Sequence, residues 1–290
     1  MKQTIRTYSS LLRLDNYIKN LFVFAPLFFD FQFRNELIIN SFISFILFCF
    51  LASSMYIFND IFDFKADKQH PVKKFRSIPS GKISINKAII IGTALLFIVL
   101  GISFIISLQL FYVFLSYVFI NISYNIVLKK IPIIDVLVIS FGFVLRILAG
   151  SYATHIPASG WILIMTFLLS LFLGFTKRRA DIVLASNNGI KVSNIQIFSI
   201  SSINKIVYFL SITITVVYIM YTLSKEVVER IGKPYVFITA IWVLLGIMRY
   251  LKIIMSSKNY KDPTAIVIKD WILQSIILLW VLTFVMLKYL

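Results

Sequence analysis

The feature that most constrains this chain is where its charges are absent. From Phe42 to Phe58 no residue is charged. Apolar runs of about 16 to 24 residues, each the length of a membrane crossing, recur along the chain. Nine spans are expected, at 18–33, 37–58, 85–107, 109–127, 133–154, 161–176, 203–223, 234–256 and 271–289, with the sixth able to extend past Lys177. In a bilayer the backbone must satisfy its own hydrogen bonds, so the fold class is all-α, a polytopic membrane bundle of about nine helices. Of 290 residues, 59% are hydrophobic and 14% charged, and the mean hydropathy is +0.90. Those values exclude an ordinary soluble domain. The longest loops run about 25 residues, too short for a separate domain, so residues 1–290 are expected to form one transmembrane domain.

The net charge of +17 would suit a nucleic-acid partner if the cations were scattered. They are not. Twenty-three of the 29 Lys and Arg residues fall in the N-terminal arm and in alternate loops. Five (Arg34, Lys225, Arg230, Lys233 and Lys288) fall on the other face, and Arg146 alone lies within a span. This bias predicts a bacterial-type inner membrane protein with its N-terminus and basic loops in the cytoplasm, against anionic lipid headgroups and without a nucleic-acid partner. The N-terminal stretch MKQTIRTYSSLLRLDNYIKN lacks a cleavable apolar core and reads as a retained arm. Cys49 is the single cysteine, so no intrachain disulfide can form.

Directly after the second span stand Asn59, Asp60, Asp63 and Asp67. If the helix continues, offsets of three and four put the three carboxylates on one stripe. Like charges at that spacing repel. A divalent cation would offset them, with Mg²⁺ favoured when oxygen ligands face a phosphorylated substrate. Lys68, Lys73, Lys74, Arg76 and Lys82 follow, and their side chains suit phosphate oxygens. Acids followed by cations at the mouth of a membrane helix suggest chemistry on a diphosphate.

A second charged patch, Lys177-Arg178-Arg179-Ala180-Asp181, ends the sixth span. Helical spacing brings Lys177, Arg178 and Asp181 together, as a phosphate-binding patch or as a basic flank facing headgroups. Arg146, costly inside a span, is expected either to pair with Asp135 or to bind phosphate. Lys19 and Asn20, with Arg13 and Asn16 nearby, sit at the boundary of the first span, and Tyr124, Asn125 and Lys129 end the fourth. Interfacial anchoring and a place in the site are both open to them. His70 beside the aspartates reads as a loop residue rather than a ligand. No zinc spacing, glycine-rich phosphate loop or Ser-His-Asp set is present.

The stretch NDIFDFKADKQHP resembles the first aspartate-rich motif of the UbiA superfamily of intramembrane transferases. RLDNYIKNLFVFAPLFF, KKFRSIPSGKIS, IPIIDVLVISFGFVLRILAG, LGFTKRRADI and MRYL…KDPTAIVIKD resemble its branch of polyprenyl-phosphate phosphoribosyltransferases, nearly end to end and in order. One departure points to that branch. Where aromatic prenyltransferases carry a second D-x-x-x-D motif, this chain has KRRAD, with Asp181 alone. The resemblance implies transfer of phosphoribose from 5-phosphoribosyl-1-diphosphate to a polyprenyl phosphate, with diphosphate released. Asp60, Asp63 and Asp67, with Asn59 nearby, would hold Mg²⁺ on the donor diphosphate. Lys73, Lys74 and Arg76 would clamp donor phosphates, and Lys177, Arg178 and Asp181 would form the opposite wall. Lys19, Lys129 and Arg146 would be candidates for the acceptor phosphate, with Asn20 and Tyr124 beside them. The alternative is prenyl transfer from a prenyl diphosphate to an aromatic acceptor.

Overall fold

A computed structural model describes residues 2–69, 72–188, 199–256 and 263–289 of the chain. His70, Lys191, Lys258 and Lys261 lie outside the described residues. The described residues are mostly helical, with no strand among them. Among the described residues, eight helices are long and apolar enough to cross a membrane. The chain's contacts group into two compact units, Met1–Lys129 with Phe141–Ser159, and Lys130–Ser140 with Gly160–Leu290.

The first unit opens with α1 (Lys2–Leu12), whose Leu11 is buried while Ile5 is exposed. Arg13 then takes a left-handed conformation, φ 52°, and ends that helix. The expected first span is not one α-helix. It is a 3₁₀ segment, Leu14–Phe24, followed by α2 (Ala25–Asp30). Pro26 explains the change, because it has no N–H to continue the ladder and sits instead in the first turn of α2. At about 2.0 Å per 3₁₀ residue and about 1.5 Å per α residue the two pieces together reach about 31 Å, enough for a hydrocarbon core.

Next come α3 (Asn35–Phe62), α4 (Phe64–Gln69), α5 (Ile85–Ile106) and α6 (Leu108–Ile126). They follow the expected spans to within a few residues. Helix α3 is the centre of this unit and packs on α1, the 3₁₀ segment, α5 and α6. Its core is Phe48, Leu51 and Met55 against Val23, Val99, Phe114 and Tyr117. Helix α7 (Ile134–Thr154) joins through its later turns. There Gly150 meets the backbone of the 3₁₀ segment so closely that a Cβ would lie 1.9 Å from the Val23 carbonyl oxygen.

The second unit holds the start of α7 and then α8 (Gly160–Asn188), α9 (Ile200–Leu223), α10 (Lys225–Ile231), α11 (Ala240–Ser256), α12 (Pro263–Lys269) and α13 (Trp271–Tyr289). A short 3₁₀ turn, Pro234–Thr239, leads into α11. The sixth span does run on past Lys177. Leu171, Phe172, Phe175, Ile203, Val207 and Tyr250 form the core. Gly174 lets α8 close on the first turn of α7, where a Cβ would lie 2.4 Å from Val136 Cγ1. Large apolar side chains such as Phe97, Ile105 and Phe209 point outward, as lipid-facing positions do.

Candidate active site

In the first unit, α3 ends at Phe62 and Asp63 caps it with φ −90° and ψ 4°. The backbone still turns helically, since the Asp67 amide donates to the Asp63 carbonyl at 2.8 Å. The acids are therefore carried at the expected spacing, but their partners divide them. Asp60 and Asp67 are buried, 3% and 2% exposed, and one nitrogen of Arg76 touches both. Arg76 Nη1 lies 3.1 Å from Asp60 Oδ1 and 2.7 Å from Asp67 Oδ2. Lys73 Nζ adds a contact of 3.7 Å to Asp67 Oδ1, and Arg13 Nη2 donates to Asp60 Oδ1. Asp63 turns elsewhere and accepts from Lys129 Nζ at 2.5 Å.

The loop that carries Arg76 is docked, not loose. Ser77 Oγ donates to the Thr7 carbonyl of α1 at 2.9 Å, Ile78 is buried beneath it, and the Ile83 amide closes back on the Ser77 carbonyl. Gly81, at φ 76°, makes the turn between them.

Arg13 is the participant that sequence reasoning left at the interface. Its left-handed backbone turns its side chain onto Asp60, and its guanidinium lies 4.7 Å from the centre of the Tyr56 ring. A weak signal was present: Arg13, Tyr17 and Asn20 recur at offsets of four and three. In the structure all three meet α3, at Asp60, Ser53 and Cys49 in turn.

Deeper in the same unit, Arg146 is 5% exposed. Its Nε donates to Asn20 Oδ1 at 2.8 Å, Nη1 to the Gly142 carbonyl at 2.7 Å, and Nη2 to Tyr117 Oη at 3.4 Å. Phe48, Phe143 and Tyr117 surround it at 4.8, 5.0 and 5.4 Å from the ring centres. This corrects the expected pairing of Arg146 with Asp135, which bonds Arg178 instead. Each nitrogen of Arg146 is turned onto a protein acceptor. Asn20, 1% exposed, is likewise spent between Arg146 and Cys49 Sγ. The remaining candidates in this unit are Asn59, Lys19 and Tyr124, all half-buried, and Lys74, which is exposed with its ammonium 5.2 Å from the Phe75 ring centre.

The second unit has its own charged cluster. Arg178 Nη2 lies 2.7 Å from Asp135 Oδ2 and Nη1 lies 3.2 Å from Asp181 Oδ2. Lys177 is exposed beside them. Arg179 faces inward, donating from Nε to Asn204 Oδ1 and from Nη1 to the Ile254 carbonyl, each at 2.8 Å. One arginine again bridges two carboxylates, here from α7 and α8.

The site chemistry therefore has two parts. Among the described residues no three His, Cys, Asp or Glu side chains converge as a metal-binding group. Yet the acids of the first unit fit a divalent cation. Mg²⁺ takes few protein carboxylates and completes its shell with phosphate oxygens and water. A single cationic nitrogen already touches both Asp60 and Asp67, so the two carboxylates face one position charged for a cation, with Asp63 three residues from Asp60.

Apolar helices of this length, with acids and cations gathered at the ends of α3 and α8, define an integral membrane protein, and the family it matches is one of transferases. The chain belongs to the UbiA prenyltransferase family, matched over residues 23–273. It is 30% identical over 284 residues to the decaprenyl-phosphate phosphoribosyltransferase of Corynebacterium glutamicum, covering 96% of this chain and 85% of that protein. It is 31% identical over 246 residues to the enzyme of that name from Mycolicibacterium smegmatis, covering 82% and 77%. Its fold is similar to that of a UbiA homolog from Archaeoglobus fulgidus solved with DMAPP and Mg²⁺, with a TM-score of 0.71 at 18% identity over 97% of this chain and 99% of that one.

Proposed function

We propose that this protein transfers a 5-phosphoribosyl group from 5-phosphoribosyl-1-diphosphate to a polyprenyl phosphate, at the cytoplasmic face of a bacterial inner membrane. The observation that carries this reading is the likeness, over 96% of the chain, to a relative named for that reaction. The charge pattern supports it. In the KRRAD patch Arg178 bridges Asp181 and Asp135 of α7, and no second acidic pair stands there, which suits substrates carrying several phosphates.

Asp60, Asp63 and Asp67, with Asn59 beside them, are the residues that would hold Mg²⁺. Bound there, it would stabilise the negative charge that grows on departing diphosphate. Arg76, Lys73 and Lys74 bind donor phosphates, Arg76 as a planar fork and the lysines as point charges. Lys129, Lys19 and Tyr124 are the residues that would hold the acceptor phosphate. Within the second unit, Lys177, Arg178 and Asp181 form a phosphate-binding patch of their own. An acceptor phosphate oxygen attacks the anomeric carbon, the new C–O bond forms there, and the bond to diphosphate breaks. The attacking oxygen is already anionic near neutral pH, so no side chain has to remove a proton. These residues act by orientation and by electrostatics. Arg146 and Asn20, bonded to each other at 2.8 Å, brace the first span against α7.

The competing reading, prenyl transfer to an aromatic acceptor, uses the same acids. Two labelled donors separate them. Protein in lipid with polyprenyl phosphate should move label from phosphoribosyl diphosphate into the lipid fraction. Label entering an aromatic acceptor from prenyl diphosphate alone would overturn the proposal.

A further inference from the structure

The acid cluster of the first unit is already fully paired. Three carboxylates, Asp60, Asp63 and Asp67, face four cations, Arg13, Lys73, Arg76 and Lys129. A divalent cation entering alone would add two charges to a cluster with no carboxylate to spare, and two of the acids are buried, where that excess is least screened. One residue stands in the way more than any other. Arg76 Nη1 touches Asp60 Oδ1 and Asp67 Oδ2 together, in the place a small cation would need. Its side chain is 31% exposed, so it can swing outward without unpacking a core.

We infer that Arg76 gates the metal: it keeps Asp60 and Asp67 closed to a free divalent cation, and gives them up when a diphosphate arrives to take its guanidinium. This rests on the reading of these acids as metal ligands given above. The exchange is charge-balanced. The diphosphate brings the anions that the released guanidinium and the incoming cation both need, so metal and donor enter as a pair. Arg76 then passes from the acids to the donor phosphates, where its fork matches phosphate oxygens. A bare cation would find the acids occupied, which keeps the site from filling without its substrate.

The test reads metal binding rather than turnover. Mn²⁺ replaces Mg²⁺, and its free and protein-bound forms are measured by electron paramagnetic resonance on the purified full-length protein. Without diphosphate, Arg76→Gln should bind Mn²⁺ about tenfold or more tightly than wild type, the size of an ordinary coupling between sites. Lys87→Gln, which removes an exposed positive charge from the start of α5, should bind as wild type does. Adding Asp67→Asn to Arg76→Gln should abolish the gain. If Arg76→Gln does not elute as a folded protein, Arg13→Gln serves, because Arg13 holds the same Asp60 oxygen. Equal Mn²⁺ affinity in wild type and Arg76→Gln would overturn the gating role. If neither takes up Mn²⁺, even with inorganic diphosphate and against a protein-free blank, the metal-site reading itself fails.

Discussion

Asp63 and Asp67 carry the sharpest expectation at the scale of single residues. Asn keeps the shape of Asp and loses the charge. The cations left behind, Lys73, Arg76 and Lys129, are each at least a fifth exposed and can rehydrate. Asp63→Asn and Asp67→Asn should therefore each cut turnover by about a hundredfold or more while the protein elutes and unfolds near wild type, a loss on the scale seen when one stabilising group is removed from an active site. Turnover and metal dependence both near wild type in either variant would contradict the assignment. The acids were legible in the sequence because their offsets alone place them on one turn. Their partners were not. Arg13 reaches Asp60 across 47 positions through a left-handed residue that no periodicity announces. Arg146 called for a counter-charge and has none among its bonded partners; a ring cage, a carbonyl and two neutral side chains hold it instead. Asp135 was never within its reach, since eleven residues of helix separate them by about 16 Å.

Two close approaches decide how the helices pack. At Gly150 an added Cβ would strike backbone, which cannot rotate away, whereas at Gly174 it would strike the Val136 side chain. Gly150→Ala should lower stability by about 1 to 3 kcal/mol or more, the usual cost of overpacking. Gly174→Ala should be partly rescued by Val136→Ala, because the two share one volume. Thermal unfolding of the four variants checks both statements. At the start of α13, Arg249 donates to both oxygens of Asp270, through Nε at 3.3 Å and Nη2 at 2.8 Å, and the Leu273 amide donates to Asp270 Oδ1 at 2.9 Å. The Arg249 hydrogen bond, aided by that amide, holds the Asp270 carboxyl below its ordinary range. A carboxyl lowered on folding adds stability above its unfolded value and loses it as pH falls through the folded value. Asp270→Asn should therefore unfold at a slightly lower temperature at neutral pH, and the gap should close in acid. A gap that persists in strong acid would assign the effect to packing. At this scale the sequence was most readable, since apolar runs became helices of nearly the same limits. The first span was the exception, because Pro26 and Arg13 break an otherwise suitable run into a 3₁₀ segment and a short helix.

Across the whole molecule, the charge bias and the helix count make a topological statement. With eight long helices among the described residues and a first segment long enough to cross as well, the expected topology puts Lys82 and Lys130 on one face and Arg34 and Lys233 on the other. Single cysteines at these positions in a Cys49→Ser background should label from opposite sides with an impermeant thiol reagent. Labelling of Lys82→Cys and Arg34→Cys from the same side would remove the α3 crossing. What the sequence could not supply at this scale was the grouping of contacts into two units, with α7 contributing to both, because such a division depends on packing between distant segments. The central claim remains the reaction itself. The most direct measurement is mass spectrometry of lipid extracted after the protein, in vesicles, is given polyprenyl phosphate, 5-phosphoribosyl-1-diphosphate and Mg²⁺. The expected product is the lipid phosphate heavier by one phosphoribosyl group, absent with Asp67→Asn. Unchanged lipid with folded wild-type protein, or a lipid carrying diphosphate instead, would contradict it.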